Sequence, residues 1–172
     1  MTATVAVILG LCAPLLVLLQ RPIRETEALL AARVMGWIQM KPAHAVGANV
    51  TFPLHGHFVG YTLTLACTVA LLAAPFFLID AGLMWSRRIT LRQGLQALAV
   101  VTVILVLVNQ LRLLTIGASM VLWGFRTGYE RSHVLLGTTL SMIGVVLGVI
   151  VFLWLLAGDS ILPERSDWDD RG

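Results

Sequence analysis

Three residues stand out because each places a reactive or charged group in or beside an apolar run. Cys67 lies in LACTVALLAAPFFLID, residues 65–80, a stretch with no charge until its end. Apolar surroundings disfavour the thiolate, which is the nucleophilic form, so a reactive Cys67 needs polar helpers from elsewhere in the chain. Arg112 lies in VNQLRLL. A mid-membrane arginine costs about 2.5–3.5 kcal/mol on insertion scales, less if it snorkels, so it marks either a functional site or a reach to the outer headgroups. Asn109 is three residues earlier on the same helical face, where its amide can orient the guanidinium or a substrate carbonyl. His133 opens the last apolar run in YERSHVLLGTTL, and an imidazole titrating near neutrality suits a general base. Glu130 can fix the tautomer of His133 or pair with Arg126 or Arg131 in a solvated loop; the sequence leaves both open.

The remaining candidates read as structural. Cys12 is mid-run with no polar neighbour, and neither cysteine belongs to a C-x-x-C pair, so no zinc or iron–sulfur site and no other metal site is implied. His44, His55 and His57 read as solvated loop histidines, since membrane haem ligation calls for histidines on facing helices. Asp80 stands alone toward the inner part of its run, without a second carboxylate. No glycine-rich phosphate loop or serine elbow is present, and no cofactor is implied.

The elements that must position these residues follow from composition. The chain has 172 residues, 58% of them hydrophobic and 12% charged, with a mean hydropathy of +0.89. This is the composition of an integral membrane protein. The net charge of +3 is scattered, which argues against nucleic-acid binding.

A hydrocarbon core about 30 Å thick needs about 20 helical residues. The apolar runs predict an all-α membrane domain over 1–172 with about four transmembrane helices, near 3–19, 61–85, 94–116 and 134–157. The first lacks a basic flank and a small-x-small cleavage pattern, and reads as a retained span. Residues 24–40 predict an interfacial amphipathic helix with Leu30, Val34, Trp37 and Ile38 at helical spacing, Glu25 and Glu27 in its first turn, and Lys41 and Pro42 at its stop. Val50, Phe52 and Leu54 alternate before His55-Gly56, which predicts a short hairpin ahead of the second span, with Pro53 on an edge. Glycines 137, 144 and 148 predict close helix packing.

Three arginines in SRRITLRQ favour the cytoplasmic side for that loop, with both termini and the tail 158–172 inside. The parity of spans two, three and four then brings Cys67, Arg112 and His133 to one face, the extracytoplasmic one. At 1.5 Å per residue, Cys67 is expected about 9 Å below a span start near Tyr61.

Ala66-Cys67-Thr68 early in one span, Asn109-Gln110-Leu111-Arg112 late in the next, and His133-Val134-Leu135-Leu136-Gly137 opening a third resemble the motifs of the exosortase/archaeosortase family. The resemblance covers about residues 46–157, the length of a small, minimal-core member, with Val69 where the family commonly has glycine. It implies a membrane-embedded cysteine peptidase or transpeptidase of the plasma membrane. Its partners would be membrane-anchored precursors carrying a C-terminal sorting motif, with membrane lipid around it and an accessory protein for acceptor or glycan chemistry. On that reading Cys67 is the nucleophile, His133 the base, and Arg112 stabilises the thiolate or oxyanion, with Asn109, Thr68 and Glu130 in support. The rival expectation is a non-enzymatic four-span assembly or transport subunit.

Overall fold

The computed structural model describes residues 2–38, 42–54, 56–132 and 136–157. Its elements are mainly helical: α1 (Thr2–Leu18), α2 (Gln20–Trp37), α3 (Val69–Trp85), α4 (Leu91–Trp123), α5 (Phe125–Arg131) and α6 (Gly137–Ala157), with β1 (His44–Val46), β2 (Asn49–Leu54) and β3 (His57–Thr62) between α2 and α3.

Among the described residues, α4 and α6 are long and apolar enough to cross a membrane. The α1–α2 pair is bent by 70° and would make a third crossing if it is one span. The apolar run from 61 to 85, expected as a whole span, is divided. Its start is taken by β3 and a 3-10 turn, Leu65–Cys67, and helix begins only at Val69. The cause is local. Tyr61 and Thr62 complete a strand paired with Val50 and Asn49, and Thr68 adopts an extended conformation and caps α3, its side chain accepting from Ala70 N. α3 is therefore 17 residues long, at the short limit for crossing the core. Cys67 is not one and a half turns down a helix but in the turn before it.

The expected hairpin is present and gains a third strand, giving an antiparallel sheet of order β1-β2-β3. Pro53 lies in the central strand rather than an edge strand. It is tolerated because β1 pairing stops at the His44–Thr51 pair while β3 runs on to Leu54 and His57, so β2 has a neighbour on one side only at Pro53. The alternation read from sequence sets Val50, Phe52 and Leu54 into the core.

The interfacial helix expected over 24–40 starts earlier, at Gln20, directly after the bend. Its faces are divided as an amphipathic helix against protein requires. Glu27, Ala28, Ala31, Ala32 and Met35 are buried, whereas Leu30, Trp37 and Ile38 point outward. Lys41 and the tail 158–172 lie outside the described residues.

Two cores result. One joins α2, the sheet, Cys67 and the Leu113, Ile116 and Met120 face of α4. The other joins α1, α3, the first half of α4 and Phe152 of α6. α4 spans both, and starts with a capping box in which Thr90 and Gln93 bond reciprocally. α6 buries only Gly137, Gly144, Gly148 and Phe152, so the glycines expected to pack closely are its contact stripe. A Cβ at Gly144 would lie 3.1 Å from Val108 Cβ. Gly144→Leu is therefore expected to cost about 1–3 kcal/mol through overpacking, read as a lower thermal midpoint in detergent, whereas the same change at outward-facing Val146 should leave it in place.

Candidate functional site

The cysteine turn is built by the switch from strand to helix. Leaving β3, Thr64 is extended, and the turn closes through Cys67 N–H donating to Thr64 O at 2.9 Å. The turn exposes Leu65 and Ala66 and points Cys67 inward, leaving it 2% exposed. The Thr64 hydroxyl donates to Cys67 Sγ at 3.3 Å. Thr68 is fully buried, and its hydroxyl oxygen accepts from Ala70 N at 3.3 Å.

Arg112 reaches this turn. Its Nη1 donates to Ala66 O at 3.2 Å, and the residue is 6% exposed. The guanidinium points into the protein and not to the headgroups. Its other edge lies against α6, where a Cβ at Gly137 would stand 3.0 Å from Nε and 3.6 Å from Nη2. A side chain there would crowd the guanidinium, which would have to shift by a few tenths of an ångström. The Nε atom is buried with no hydrogen-bond partner among the described residues. Three segments singled out by sequence, Ala66-Cys67-Thr68, Asn109 to Arg112 and the glycine of H-x-x-x-G, therefore meet.

His133 lies outside the described residues, as does His55. Ser132, just before His133, is buried, with its hydroxyl donating to Gly128 O at 2.6 Å. Of the two readings open for Glu130, the ion pair with Arg126 is formed, at 3.5 Å with both side chains largely exposed. His44 and His57 are exposed on the sheet. Among the described residues no group of three or more His, Cys, Asp or Glu gathers as a metal site.

Asn109 takes a different role from the one its spacing suggested. Its Nδ2 donates to Glu27 Oε1 at 3.1 Å instead of serving Arg112, and the residue is 1% exposed. The same Glu27 oxygen accepts from Val69 N at 2.8 Å, and Gln110 Nε2 donates to the Glu27 backbone carbonyl at 3.4 Å. Glu27 Oε2 has no hydrogen-bond partner among the described residues. Sequence reasoning read Glu27 as a first-turn acid. The signal that could have placed it inside is its position beside Ala28, Ala31 and Ala32, a small-residue stripe that lets α2 approach other elements closely.

Tyr61 completes the wall. Its hydroxyl donates to Leu113 O at 3.0 Å, and burial, then the neighbouring Cys67, push its phenol above the ordinary tyrosine range. Beyond the cysteine turn, Leu71, Leu72, Pro75, Phe76 and Ile79 of α3 with Val145 and Val149 of α6 line an apolar groove of about 280 Å³. The arrangement puts Cys67 next in sequence to a carbonyl held by a buried cation, with an apolar groove further along α3. Compared with known protein families, curated proteins and solved structures, the chain matches none.

Asn109→Leu removes a buried donor from Glu27 and is expected to cost about 1–3 kcal/mol of stability. Asn109→Asp, which sets a second carboxylate against the first, should cost more; thermal unfolding of the two variants side by side checks the order.

Proposed function

We propose that this chain is a membrane-embedded cysteine transpeptidase or peptidase, similar to the exosortase/archaeosortase family. It would process the C-terminal sorting signal of membrane-tethered precursors. The observation that carries the reading is the Arg112 guanidinium, bonded to the carbonyl beside Cys67 and backed by Gly137. In that arrangement a buried cation holds the residue before Cys67, and a water-poor setting is where electrostatic stabilisation of a developing charge is strongest.

In the proposed chemistry Cys67 Sγ attacks the scissile carbonyl carbon as thiolate, and His133 takes the thiol proton. The carbonyl oxygen would become an oxyanion facing the Arg112 Nε–H, a buried donor without a partner among the described residues. Collapse breaks the C–N bond, His133 returns the proton to the leaving amine, and a thioester on Cys67 remains for an acceptor amine, a lipid or water. Thr68 fixes the start of α3 behind the nucleophile, and Asn109 contributes through Glu27. Glu130 would act, if at all, through His133. The apolar α3–α6 groove suits the membrane segment of a precursor. We place the chain in the plasma membrane with four crossings, α3 included, and the site on the extracytoplasmic side, where an accessory protein would supply acceptor or glycan chemistry.

One observation favours the rival reading of a non-enzymatic assembly or transport subunit. Cys67 is 2% exposed, and the Arg112 bond to Ala66 could serve as an internal lock. Variants separate the two. Cys67→Ala should abolish precursor processing in cells while the protein accumulates normally, and Arg112→Lys should lower turnover by about 10²-fold, as for removal of one oxyanion donor. Normal processing with Cys67→Ala, or harmless Arg112→Lys, would favour the assembly subunit.

A further inference from the structure

The seven residues from Leu63 to Val69 are held at three backbone points by charged side chains from two other helices. Arg24 Nη1 of α2 donates to Leu63 O at 3.0 Å. Arg112 of α4 donates to Ala66 O at 3.2 Å, and Glu27 of α2 accepts from Val69 N at 2.8 Å. The anchors fall on every third residue and bracket Cys67. Two come from one helix, from residues one turn apart.

We infer that Glu27 is a positioning residue for Cys67, holding the first amide of α3 so that the turn carrying the thiol is fixed against Arg112. Val69 N is one of the amides at a helix start that lack an intrahelical partner, and a carboxylate there also meets the favourable end of the helix dipole. Glu27 takes that amide while Thr68 takes the next, at Ala70. Asn109 donates to the same Glu27 oxygen, which ties the carboxylate to the helix that carries Arg112, three residues further on. The nucleophile and its cation are thus referred to one acidic group, 7% exposed, between α2, α3 and α4. This inference rests on the transpeptidase reading only for the word nucleophile; the geometry it asserts concerns the thiol itself.

The test uses the full chain in lipid vesicles and two readouts, the rate of precursor processing and the rate of Cys67 alkylation by N-ethylmaleimide, in Cys12→Ala background. Glu27→Asp keeps the charge but is one methylene short of bridging Val69 and Asn109. It should fold, process precursor with kcat lowered about tenfold at unchanged KM, and alkylate Cys67 severalfold faster as the turn loosens. Glu27→Gln, which retains an acceptor for Val69 N–H, should lose less, about threefold or under. Glu27→Ala should show the largest change in both rates, and if it fails to fold, Glu27→Asp decides. Wild-type kcat and wild-type alkylation in folded Glu27→Asp overturn the inference. Should precursor processing prove independent of Cys67, alkylation alone still decides it: faster labelling in Glu27→Asp upholds the clamp, and unchanged labelling rejects it.

Discussion

Burying the Arg112 guanidinium in an otherwise apolar helix is the constraint from which the rest of the structure follows. A cation in that setting must find acceptors. A backbone carbonyl freed where helix gives way to turn is one that carries no further charge into the membrane. The chain supplies one by interrupting its second apolar run: β3 ends, a 3-10 turn forms, and Ala66 presents its carbonyl. The same interruption takes Cys67 out of the α-helix and leaves it next in sequence to the carbonyl that Arg112 holds. The guanidinium also packs closely against Gly137, where a Cβ would stand 3.0 Å from Nε, so α6 begins in close contact with α4 at this point.

The polar groups around this point form a connected set and not scattered exceptions. Glu27, Asn109 and Gln110 bond one another across α2 and α4, and Glu27 caps α3. Partly satisfied buried polar groups are usually unfavourable for stability, and Arg24 Nε, Glu27 Oε2, Asn109 Oδ1, Gln110 Oε1 and Arg112 Nε remain without partners among the described residues. A chain shaped for stability alone would place leucine at several of these positions. Several of them gather around the contact between Glu27 and Asn109. By contrast the second core is apolar except for Asp80, which is fully buried against Gly94 with neither carboxylate oxygen partnered; the structure gives no account of that residue.

Much of this was legible in the sequence because membrane insertion makes polar residues conspicuous. Arg112, Cys67 and the glycines of α6 announced themselves by type against an apolar background, and the alternation of Val50, Phe52 and Leu54 marked the central strand. What hydropathy could not show is where an apolar run stops being helix. LTLACTVALL is uniformly apolar or neutral, and the strand pairing of Tyr61 and Thr62 with residues 49 and 50 is a tertiary preference that overrides it. Asn109 was read against its helical neighbour because only intrahelical spacing is visible in sequence; its partner is 82 residues away. Glu27 was missed for the same reason, since a glutamate in an amphipathic helix reads as solvated until its helix is packed on others. His133, the proposed base, lies outside the described residues.

The account as a whole stands on covalent chemistry at one sulfur. Full-length protein in vesicles, incubated with a membrane-anchored precursor and quenched in acid, can be digested and weighed peptide by peptide. An acyl adduct on the Cys67 peptide, released by neutral hydroxylamine and matching the precursor cleaved at its sorting motif, is the result expected. Precursor processed at full rate while the Cys67 peptide keeps an unmodified mass at every time point would contradict it.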